Sequence, residues 1–161
     1  MAIPKQLNMF EMKNLKSLFI PQRGRRKTQR PLSRRHPLHL ILKSKHHDLQ
    51  KNERAIHRQW HRLGNRLGLK TYRLVVVSDH IHAVVVIQSR DCYRKFISGL
   101  TGYLARRLQV KFKTSPASRI VEWGRAFKTL LKYVQLNEWE ALGYIDYQPE
   151  RTRNLPEWLK L

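Results

Sequence analysis

The sequence predicts an α+β fold, in which helices pack on an antiparallel sheet of the ferredoxin-like or RRM-like kind. Two observations lead to this prediction. The hydrophobic pattern changes between strand and helix periods in the order strand, helix, strand, strand, helix, strand, helix. The second and third strands are also joined by a very short connection, which makes them an antiparallel hairpin. With 161 residues, 41% of them hydrophobic, the chain is long enough for one domain with its own core.

The first half of this domain is predicted to contain one strand, one helix and the hairpin. Leu38–Leu42 is a short apolar run that indicates the first strand. Asn52–Leu67 places apolar residues at helical spacing, and Gly68 follows as a C-terminal cap. Lys70–Val77 and His80–Ile87 are rich in β-branched residues and predict the two strands of the hairpin.

The second half predicts two helices with a short strand between them. Arg90–Phe112 has the apolar stripe of a helix, and Arg119–Trp123 follows as a short strand after a loop around Pro116. Arg125–Leu142 is predicted to be the third helix. Its core stripe consists of Phe127, Leu130, Leu131 and Val134. We therefore expect a domain over residues 36–148, followed by a tail over 149–161.

Charge is the strongest compositional feature. The chain has 33 Lys and Arg against 11 Asp and Glu, a formal net charge of +22. Such a charge repels itself in a compact fold and favours a polyanionic partner, with nucleic acid as the first candidate and an acidic membrane surface as the second. Residues 1–35 are predicted to form a flexible basic arm, with a solubilising tail as the alternative. The arm residues expected to contact DNA phosphates are Arg23, Arg25, Arg26, Lys27, Arg30, Arg34 and Arg35.

Several absences point to the cytosol. No apolar run reaches the roughly 18 residues that span a bilayer, and the N-terminus lacks the pattern of a signal peptide. The single cysteine, Cys92, has no partner for an internal disulfide. We expect a protein of the bacterial cytoplasm, associated with the nucleoid, which does not act at a membrane.

A pair of histidines opens the third predicted strand. His80 and His82 are two residues apart, so their side chains point to the same face of a strand. Two imidazoles at that spacing can bind one metal ion. The alternative is that both are ordinary hydrogen-bonded histidines.

The third predicted helix carries a tyrosine and a possible third ligand. Tyr133 and Asn137 are four residues apart and share one helix face, at the edge of the core stripe. A tyrosine beside a metal is a plausible nucleophile for phosphorus, and an amide oxygen with two imidazoles suits Mn²⁺ or Mg²⁺. The alternative is a half-buried packing tyrosine. Among the other tyrosines Tyr103 is the nearest rival, but the residue one turn after it is Arg107, which is not a metal ligand.

His39, on the first predicted strand, is a further candidate. It could lie beside the hairpin and belong to the same site. A structural role is the stronger expectation for this residue.

Three segments resemble single-tyrosine HUH transposases, and in particular the REP-associated tyrosine transposases. SDHIHAVVVI (Ser78–Ile87) resembles the strand that carries the paired histidines, and HPLHLILKS (His36–Ser44) resembles the first strand of that branch. LKYVQLNEWEALG (Leu131–Gly143) resembles the tyrosine helix. The resemblance extends from about Arg34 to Ile145.

The resemblance implies an HUH endonuclease fold and a reaction on DNA. It implies that His80 and His82 bind the divalent metal, that Asn137 is the third ligand and that Tyr133 is the nucleophile. The implied reaction cuts and rejoins single-stranded DNA through a 5′-phosphotyrosine, at sites flanked by hairpins. The chain departs from the family pattern at Asp79, where asparagine is usual, and at Glu138-Trp139, where Pro-Val is usual. The stretch between the second and third helices is also short.

Two other classes of function remain open at this point. The first is a basic protein that binds RNA or DNA on the same fold without catalysis. The second is a metal-dependent phosphoesterase that uses water as its nucleophile and does not need Tyr133. Monomer and homodimer are both compatible with the sequence.

Overall fold

A computed structural model describes residues 32–45, 48–113 and 115–146 of the chain. Most of the predicted basic arm, including Arg23, Arg25, Arg26, Lys27 and Arg30, lies outside the described residues, as does the predicted tail over 149–161. The described part contains four strands and three α-helices. In chain order they are β1 (Leu38–Lys43), α1 (Glu53–Arg66), β2 (Lys70–Val76), β3 (His80–Val86), α2 (Arg90–Arg107), β4 (Ala117–Ile120) and α3 (Arg125–Ala141).

The four strands form one sheet in the order β2-β3-β1-β4, and every neighbouring pair is antiparallel. β1 is thus central, although it is the first strand of the chain, because the connection from β1 through α1 returns to the far side of β3. This arrangement is the split βαβ topology of the ferredoxin-like fold. The predicted α+β fold is confirmed.

The sheet separates two cores of unequal size. Leu38, Leu40 and Leu42 of β1 alternate with His39 and Ile41, so the two sets face opposite sides of the sheet. The leucines belong to a large core that α1 and α2 complete. The opposite side carries a small core under α3, formed by Val75, Val84, Val121, Leu130 and Val134. α3 packs against β2 and β3 on that side.

Local signals explain where most elements begin and end. Gly68 follows α1 with a φ of +66°, and a Cβ there would lie 2.7 Å from the Gln88 side chain, so glycine is required. Ser89 caps α2, because its Oγ accepts a hydrogen bond from the Cys92 backbone N–H at 3.1 Å. Cys92 lies on this helix and packs against the large core.

The second helix is shorter than predicted. It ends at Arg107, not Phe112, because Gln109 adopts a φ of +55° and the Val110 N–H bonds to the Leu104 carbonyl at 3.0 Å. Phe112 instead forms an isolated antiparallel bridge with Ser44. The spacing of Val110 and Phe112 is compatible with the apolar stripe of a helix and also with the alternation of a strand. The apolar pattern therefore does not mark where the helix ends.

Two further boundaries differ from the prediction. The turn before α1, Leu49–Asn52, is a 3-10 helix, and α1 begins only at Glu53. β4 spans Ala117–Ile120, earlier than the predicted Arg119–Trp123. Its position is fixed by pairing with β1, which places Ile120 opposite Leu38, whereas Trp123 lies in the turn that leads to α3.

Candidate active site

The paired histidines lie on the face of the sheet that α3 covers. His80 and His82 of β3 stand opposite Lys43 and Ile41 of β1, and β3 alternates so that Ile81 and Ala83 enter the large core instead. His82 is 2% exposed, whereas His80 is partly exposed at the start of the strand. The strand therefore places both imidazoles on one face, as the spacing predicted.

The two rings belong to a longer row of hydrogen-bonded groups. The Nε2 atoms of His80 and His82 are 2.7 Å apart. On the outer sides, His80 Nδ1 lies 2.5 Å from Asp79 Oδ1, and His82 Nδ1 lies 3.1 Å from His39 Nε2. The His39 and His82 rings are stacked, with centroids 5.3 Å apart. The row runs Asp79, His80, His82, His39.

One of the two tautomer patterns open to His82 leaves lone pairs at the centre of this row. The Asp79 carboxylate can only accept, so Nδ1 of His80 is the donor in that pair. If His82 Nδ1 likewise donates to His39, both Nε2 atoms carry lone pairs that face each other across 2.7 Å. Two lone pairs at that distance repel unless a proton or a cation lies between them. Metal-binding histidines have this arrangement, with the second ring nitrogen held by a carboxylate or another acceptor.

Burial favours the neutral form of the His82 and His39 rings. Desolvation is the main cause that lowers the pKa of His82 well below its usual 6.5, and the nearby charges of His80, His39 and Lys43 lower it further. Desolvation, with Arg119 and His80, lowers the pKa of His39 to about 4. Neutral imidazole is the form that binds a metal ion, so the environment favours ligation near neutral pH.

Tyr133 lies above this row. Its ring stands edge-on to His82 with centroids 5.7 Å apart, and edge-on to His39 with centroids 6.4 Å apart. The side chain is partly buried at the margin of the small core. The position matches the predicted edge of the apolar stripe, where a tyrosine both packs and faces the site.

Asn137 lies one turn beyond Tyr133 and shares a cavity with His80. The cavity has a volume of about 540 Å³, and its wall includes Asp79, His80, Asn137 and Glu140. The Asn137 Nδ2 donates to the Tyr133 backbone carbonyl at 2.8 Å, so the amide oxygen is the atom left for a cation. The structure brings together the four predicted site residues His80, His82, Tyr133 and Asn137 on one side of the sheet.

Contacts at its C-terminal half hold α3 over the site. Gln50, in the 3-10 helix before α1, donates its Nε2–H to the Ala141 carbonyl at 2.8 Å. Arg73 of β2 forms an ion pair with Glu138. Glu138 is one of the departures from the family pattern, and this ion pair gives it a structural role.

The side chains of His80 and His82 could hold a divalent cation only together with a third ligand, which the amide of Asn137 would supply. Within residues 32–45, 48–113 and 115–146, no three His, Cys, Asp or Glu side chains form a group that could hold a metal ion. His80 and His82 supply two converging nitrogens, and Asn137 would supply an oxygen, which is a ligand mixture that suits Mn²⁺. These residues are therefore compatible with the expected metal, and the assignment stays a proposal.

Sequence reasoning did not identify several groups around the row. His39 was left open between two roles, and the structure places it against His82 on the central strand. Lys43 and Arg119 stand beside His80 and His39 through strand pairing, and they place two positive charges on this face. The sequence shows that side chains of β1 alternate between the two faces of the sheet. It does not show the strand order, which brings β1 next to β3.

Tyr103 lies far from the paired histidines in the fold. It lies on α2 and packs at the edge of the large core, on the face of the sheet opposite His80 and His82. Of the predicted DNA contacts, Arg34 and Arg35 are described, and both are exposed. The Arg35 carbonyl accepts a hydrogen bond from Trp123 Nε1 at 2.7 Å, which fixes the chain just before β1.

Together, these features define a ferredoxin-like α+β domain that carries paired histidines under a tyrosine helix. Among solved structures, the chain is similar to a REP-associated tyrosine transposase bound to a REP hairpin, with 9% identity and a TM-score of 0.59. The match covers 80% of this chain and 86% of that one. At this identity the similarity establishes the fold, which this chain shares with that transposase.

A second solved structure, a candidate transposase from Deinococcus radiodurans R1, is 18% identical with a TM-score of 0.48. That match covers 70% of this chain and 98% of the other. No protein-family model matches the sequence, and no curated protein matches it. Within the described part of the chain, no helix combines the length and apolar character needed to cross a membrane.

Proposed function

We propose that the protein is a transposase-like nuclease that cleaves and rejoins single-stranded DNA, with Tyr133 as the nucleophile. The observation that carries the proposal is the position of the Tyr133 ring, 5.7 Å from the ring of His82, which is itself paired with His80. A packing tyrosine has no need of two imidazoles whose nitrogens converge beside it. The similarity of the fold to a REP-associated tyrosine transposase supports the same conclusion.

The reaction is an exchange of one phosphodiester for another. The Tyr133 oxygen attacks phosphorus and forms the new bond to the 5′ phosphate, while the bond to the 3′ oxygen breaks. The proton lost by the phenol balances the proton gained by the leaving 3′ hydroxyl. Because the phosphotyrosine keeps the bond energy, the reverse attack by a 3′ hydroxyl rejoins DNA without ATP.

In this proposal His80, His82 and Asn137 hold a divalent cation, Mn²⁺ or Mg²⁺. The bound ion would stabilise the negative charge that develops on the phosphate oxygens in the transition state. Asp79 and His39 orient the two imidazoles by holding their Nδ1 atoms. Lys43 and Arg119 add positive charge on the same face and favour approach of the phosphate backbone.

The partner in this proposal is single-stranded or hairpin DNA. A hairpin is the ligand of the similar transposase structure, and a net charge of +22 suits a phosphate backbone. Residues 1–35 then act as a basic arm that contacts DNA phosphates. The nucleoid is the corresponding location in the cell.

Covalent capture on denaturing gels tests the proposal. A short labelled single strand incubated with Mn²⁺ should give a denaturation-resistant adduct with the wild-type protein. Tyr133→Phe removes one oxygen and keeps the ring, so the adduct and the cleavage should vanish while DNA binding persists. Tyr103→Phe is the matched control, because it makes the same change on the other face of the sheet and should leave adduct formation unchanged.

The same assay separates the other two classes of function. A phosphoesterase that uses water would continue to cut after Tyr133→Phe and would never form an adduct. A non-catalytic binding protein would cut nothing in either form. An adduct that survives Tyr133→Phe and disappears in Tyr103→Phe would place the nucleophile on α2 and contradict the site described above.

A further inference from the structure

A short two-stranded ribbon continues the sheet at the end of β1, beside the point where β3 begins with His80. Residues 43–45 and 111–113 form it, through an antiparallel bridge between Ser44 and Phe112. Four of these six residues are lysines, and all four lysines are exposed. We call them the lysine ribbon, which consists of Lys43, Lys45, Lys111 and Lys113.

The four lysines are opposed in two pairs. The Lys113 backbone N–H donates to the Lys43 carbonyl at 2.9 Å, and the Lys45 N–H donates to the Lys111 carbonyl at 2.7 Å. Opposed Cβ atoms are about 5 Å apart, and those two residues apart on one strand are about 7 Å apart. None of the four lysines forms an ion pair with another residue that the structure describes. Like charges directly opposed on a sheet are destabilising, so this array favours an anionic ligand.

The lysine ribbon points to the face of the sheet that carries the paired histidines. Ser44 is fully buried and Phe112 packs against the large core, so the lysines that alternate with them point to the other side. Lys43 stands directly opposite His80 in the β1–β3 pair. The Ser44 N–H donates to the Asp79 carbonyl at 2.7 Å, which fixes the ribbon against the residue before His80.

The direction of the proposed reaction assigns one of the two cut ends to the lysine ribbon. Tyr133 is carried by α3, which packs against β2 and β3. In an in-line displacement at phosphorus, the attacking and leaving oxygens lie on opposite sides of the phosphorus atom. Since Tyr133 attacks from the side of α3, the 3′ oxygen leaves away from α3, toward the half of the face formed by β1 and β4. The ribbon extends that half, because residues 111–113 pair with the edge of β1 opposite β3.

Rejoining requires that this end stay bound. After cleavage the 5′ phosphate is covalently attached to Tyr133, whereas the fragment that ends in the 3′ hydroxyl is held by non-covalent contacts alone. If that fragment dissociates, the phosphotyrosine loses the hydroxyl that would attack it. Lysine ammonium groups bind phosphates as point charges and make no base contact, so they can hold a strand of any sequence.

We propose that the lysine ribbon retains the cut strand, by binding the phosphates next to the 3′ hydroxyl until that hydroxyl attacks the phosphotyrosine. The attack forms the bond between the 3′ oxygen and phosphorus, breaks the bond to the Tyr133 oxygen, and transfers the hydroxyl proton to the phenol. This inference rests on the proposed function, since it assumes that Tyr133 forms the adduct. It adds a binding site for the second product of cleavage.

A single strand labelled at its 5′ end measures retention, because the label stays on the fragment that carries the 3′ hydroxyl. After adduct formation with Mn²⁺, chelation of the metal stops rejoining, and excess unlabelled strand prevents rebinding. Filter binding followed by a denaturing gel then gives the rate at which label of the cut length leaves the protein. Lys45→Gln/Lys111→Gln removes one opposed pair of the ribbon. The matched control, Lys128→Gln/Lys132→Gln, removes two exposed lysines from a separate cleft on α3.

The cut fragment should leave the ribbon variant about tenfold faster than the wild type, and the salt slope of its dissociation should fall by about 1.4, since each phosphate contact of a single strand contributes about 0.7. The control should change the rate by less than about threefold. Lys45→Arg/Lys111→Arg keeps both charges and should retain the fragment as the wild type does. Circular dichroism and thermal unfolding establish that the variants are folded.

Equal dissociation rates in the ribbon variant and the control would overturn the proposal, because only the overall charge would then matter. Adducts that still form in that case would leave Tyr133 as the nucleophile, whereas a wild type without any adduct would refute the proposed function and this inference together. Loss of retention in Lys45→Arg/Lys111→Arg would also contradict the ribbon as a charge-based site. If polyglutamate displaces the fragment from the wild type as well as unlabelled strand of equal charge does, the ribbon is an acidic-protein site and the proposal is wrong.

Discussion

His82 is the residue on which the site geometry depends. It is fully enclosed, bonded to His39 on one side and to His80 on the other, and Tyr133 stands over its ring. A buried imidazole without partners would be costly, so the row of bonded groups explains how histidines are tolerated on a central strand. The Nδ1 atom of His39 ends the row, buried and without a hydrogen-bond partner among the described residues. Because the row ends on a central strand, this nitrogen of His39 is buried where no described group bonds to it.

Removal of either central imidazole should abolish cleavage and spare much of the DNA affinity. His80→Ala and His82→Ala each remove one of the two converging nitrogens, whereas phosphate contacts elsewhere on the protein remain. Cleavage of a labelled strand at limiting Mn²⁺, and equilibrium binding of the same strand, are the two measurements. Normal cleavage by either variant would contradict the metal site.

His39 should act as a positioning residue, through His82. His39→Ala leaves Nδ1 of His82 without its partner, and loss of such an outer contact typically weakens metal binding by about 10- to 100-fold. His39→Gln, which can still accept a hydrogen bond, should recover most of the affinity. Calorimetric titration with Mn²⁺ measures both, with His57→Ala on α1 as the control. A Mn²⁺ affinity unchanged in His39→Ala would limit His39 to packing.

The site could be predicted from the sequence to the extent that it depends on local spacing. The two-residue spacing of His80 and His82 fixes a common strand face, and the four-residue spacing of Tyr133 and Asn137 fixes a common helix face. His39 was not assigned, because its neighbour His82 is 43 residues away and only the β1–β3 pairing joins them. The pairing of β1 with β3 depends on the whole fold, and a local sequence pattern does not predict it.

At the scale of elements, α3 carries two of the proposed site residues and buries few of its side chains. It carries Tyr133 and Asn137, yet its buried residues are only Leu130 and Val134, which join a small core of five side chains. Two polar contacts supplement that core, from Gln50 to the last turn of the helix and from Arg73 to Glu138. The Arg73–Glu138 ion pair is partly exposed and contributes little by itself, since pairs at the surface are worth about 0–1 kcal/mol.

Leu130→Ala should therefore impair activity beyond its effect on stability. Leu130 and Leu100 are both fully buried, the first in the small core and the second in the large core. Each truncation to alanine should cost about 2–5 kcal/mol of unfolding free energy. Only Leu130→Ala should also slow adduct formation per folded molecule, because it loosens the helix that carries Tyr133. Urea unfolding and single-turnover adduct rates provide the test, and equal rates in the two variants would refute it.

Most elements were predictable because their signals are local. The hairpin strands end within one residue of the prediction, since β-branched runs and the Ser78-Asp79 turn mark them on both sides. The end of α2 was predicted five residues too late, because Leu108, Val110 and Phe112 continue an apolar pattern without glycine or proline. β4 was shifted because its register is set by β1, through Val121 N–H bonding to the Pro37 carbonyl at 2.9 Å.

The whole molecule has a net charge of +22. Its positive side chains include those of residues 1–35 in the sequence, those on the sheet face around His80, and those between α1 and α2, where Arg62 and Arg66 lie. Binding through phosphates releases condensed counterions, so affinity for DNA should fall steeply as salt rises. If each region makes its own phosphate contacts, removing one region at a time should lower the salt slope in separate steps.

Deletion of residues 1–31 should make the salt slope shallower without unfolding the domain. The cut is placed there because Leu32 packs against the large core and the Arg35 carbonyl is bonded to Trp123. The deletion removes eight Lys and Arg and one Glu, a net loss of seven positive charges. A second variant keeps the full chain length and removes only the positive charges at the end of the arm. It replaces Arg23, Arg25, Arg26, Lys27 and Arg30 by glutamine. Both should lower the slope of log affinity against log salt, and the adduct rate at saturating DNA should stay the same. A slope equal to that of the wild type in both variants would mean that the arm does not contact the backbone, and would leave DNA binding to the net charge of +15 that residues 32–161 carry.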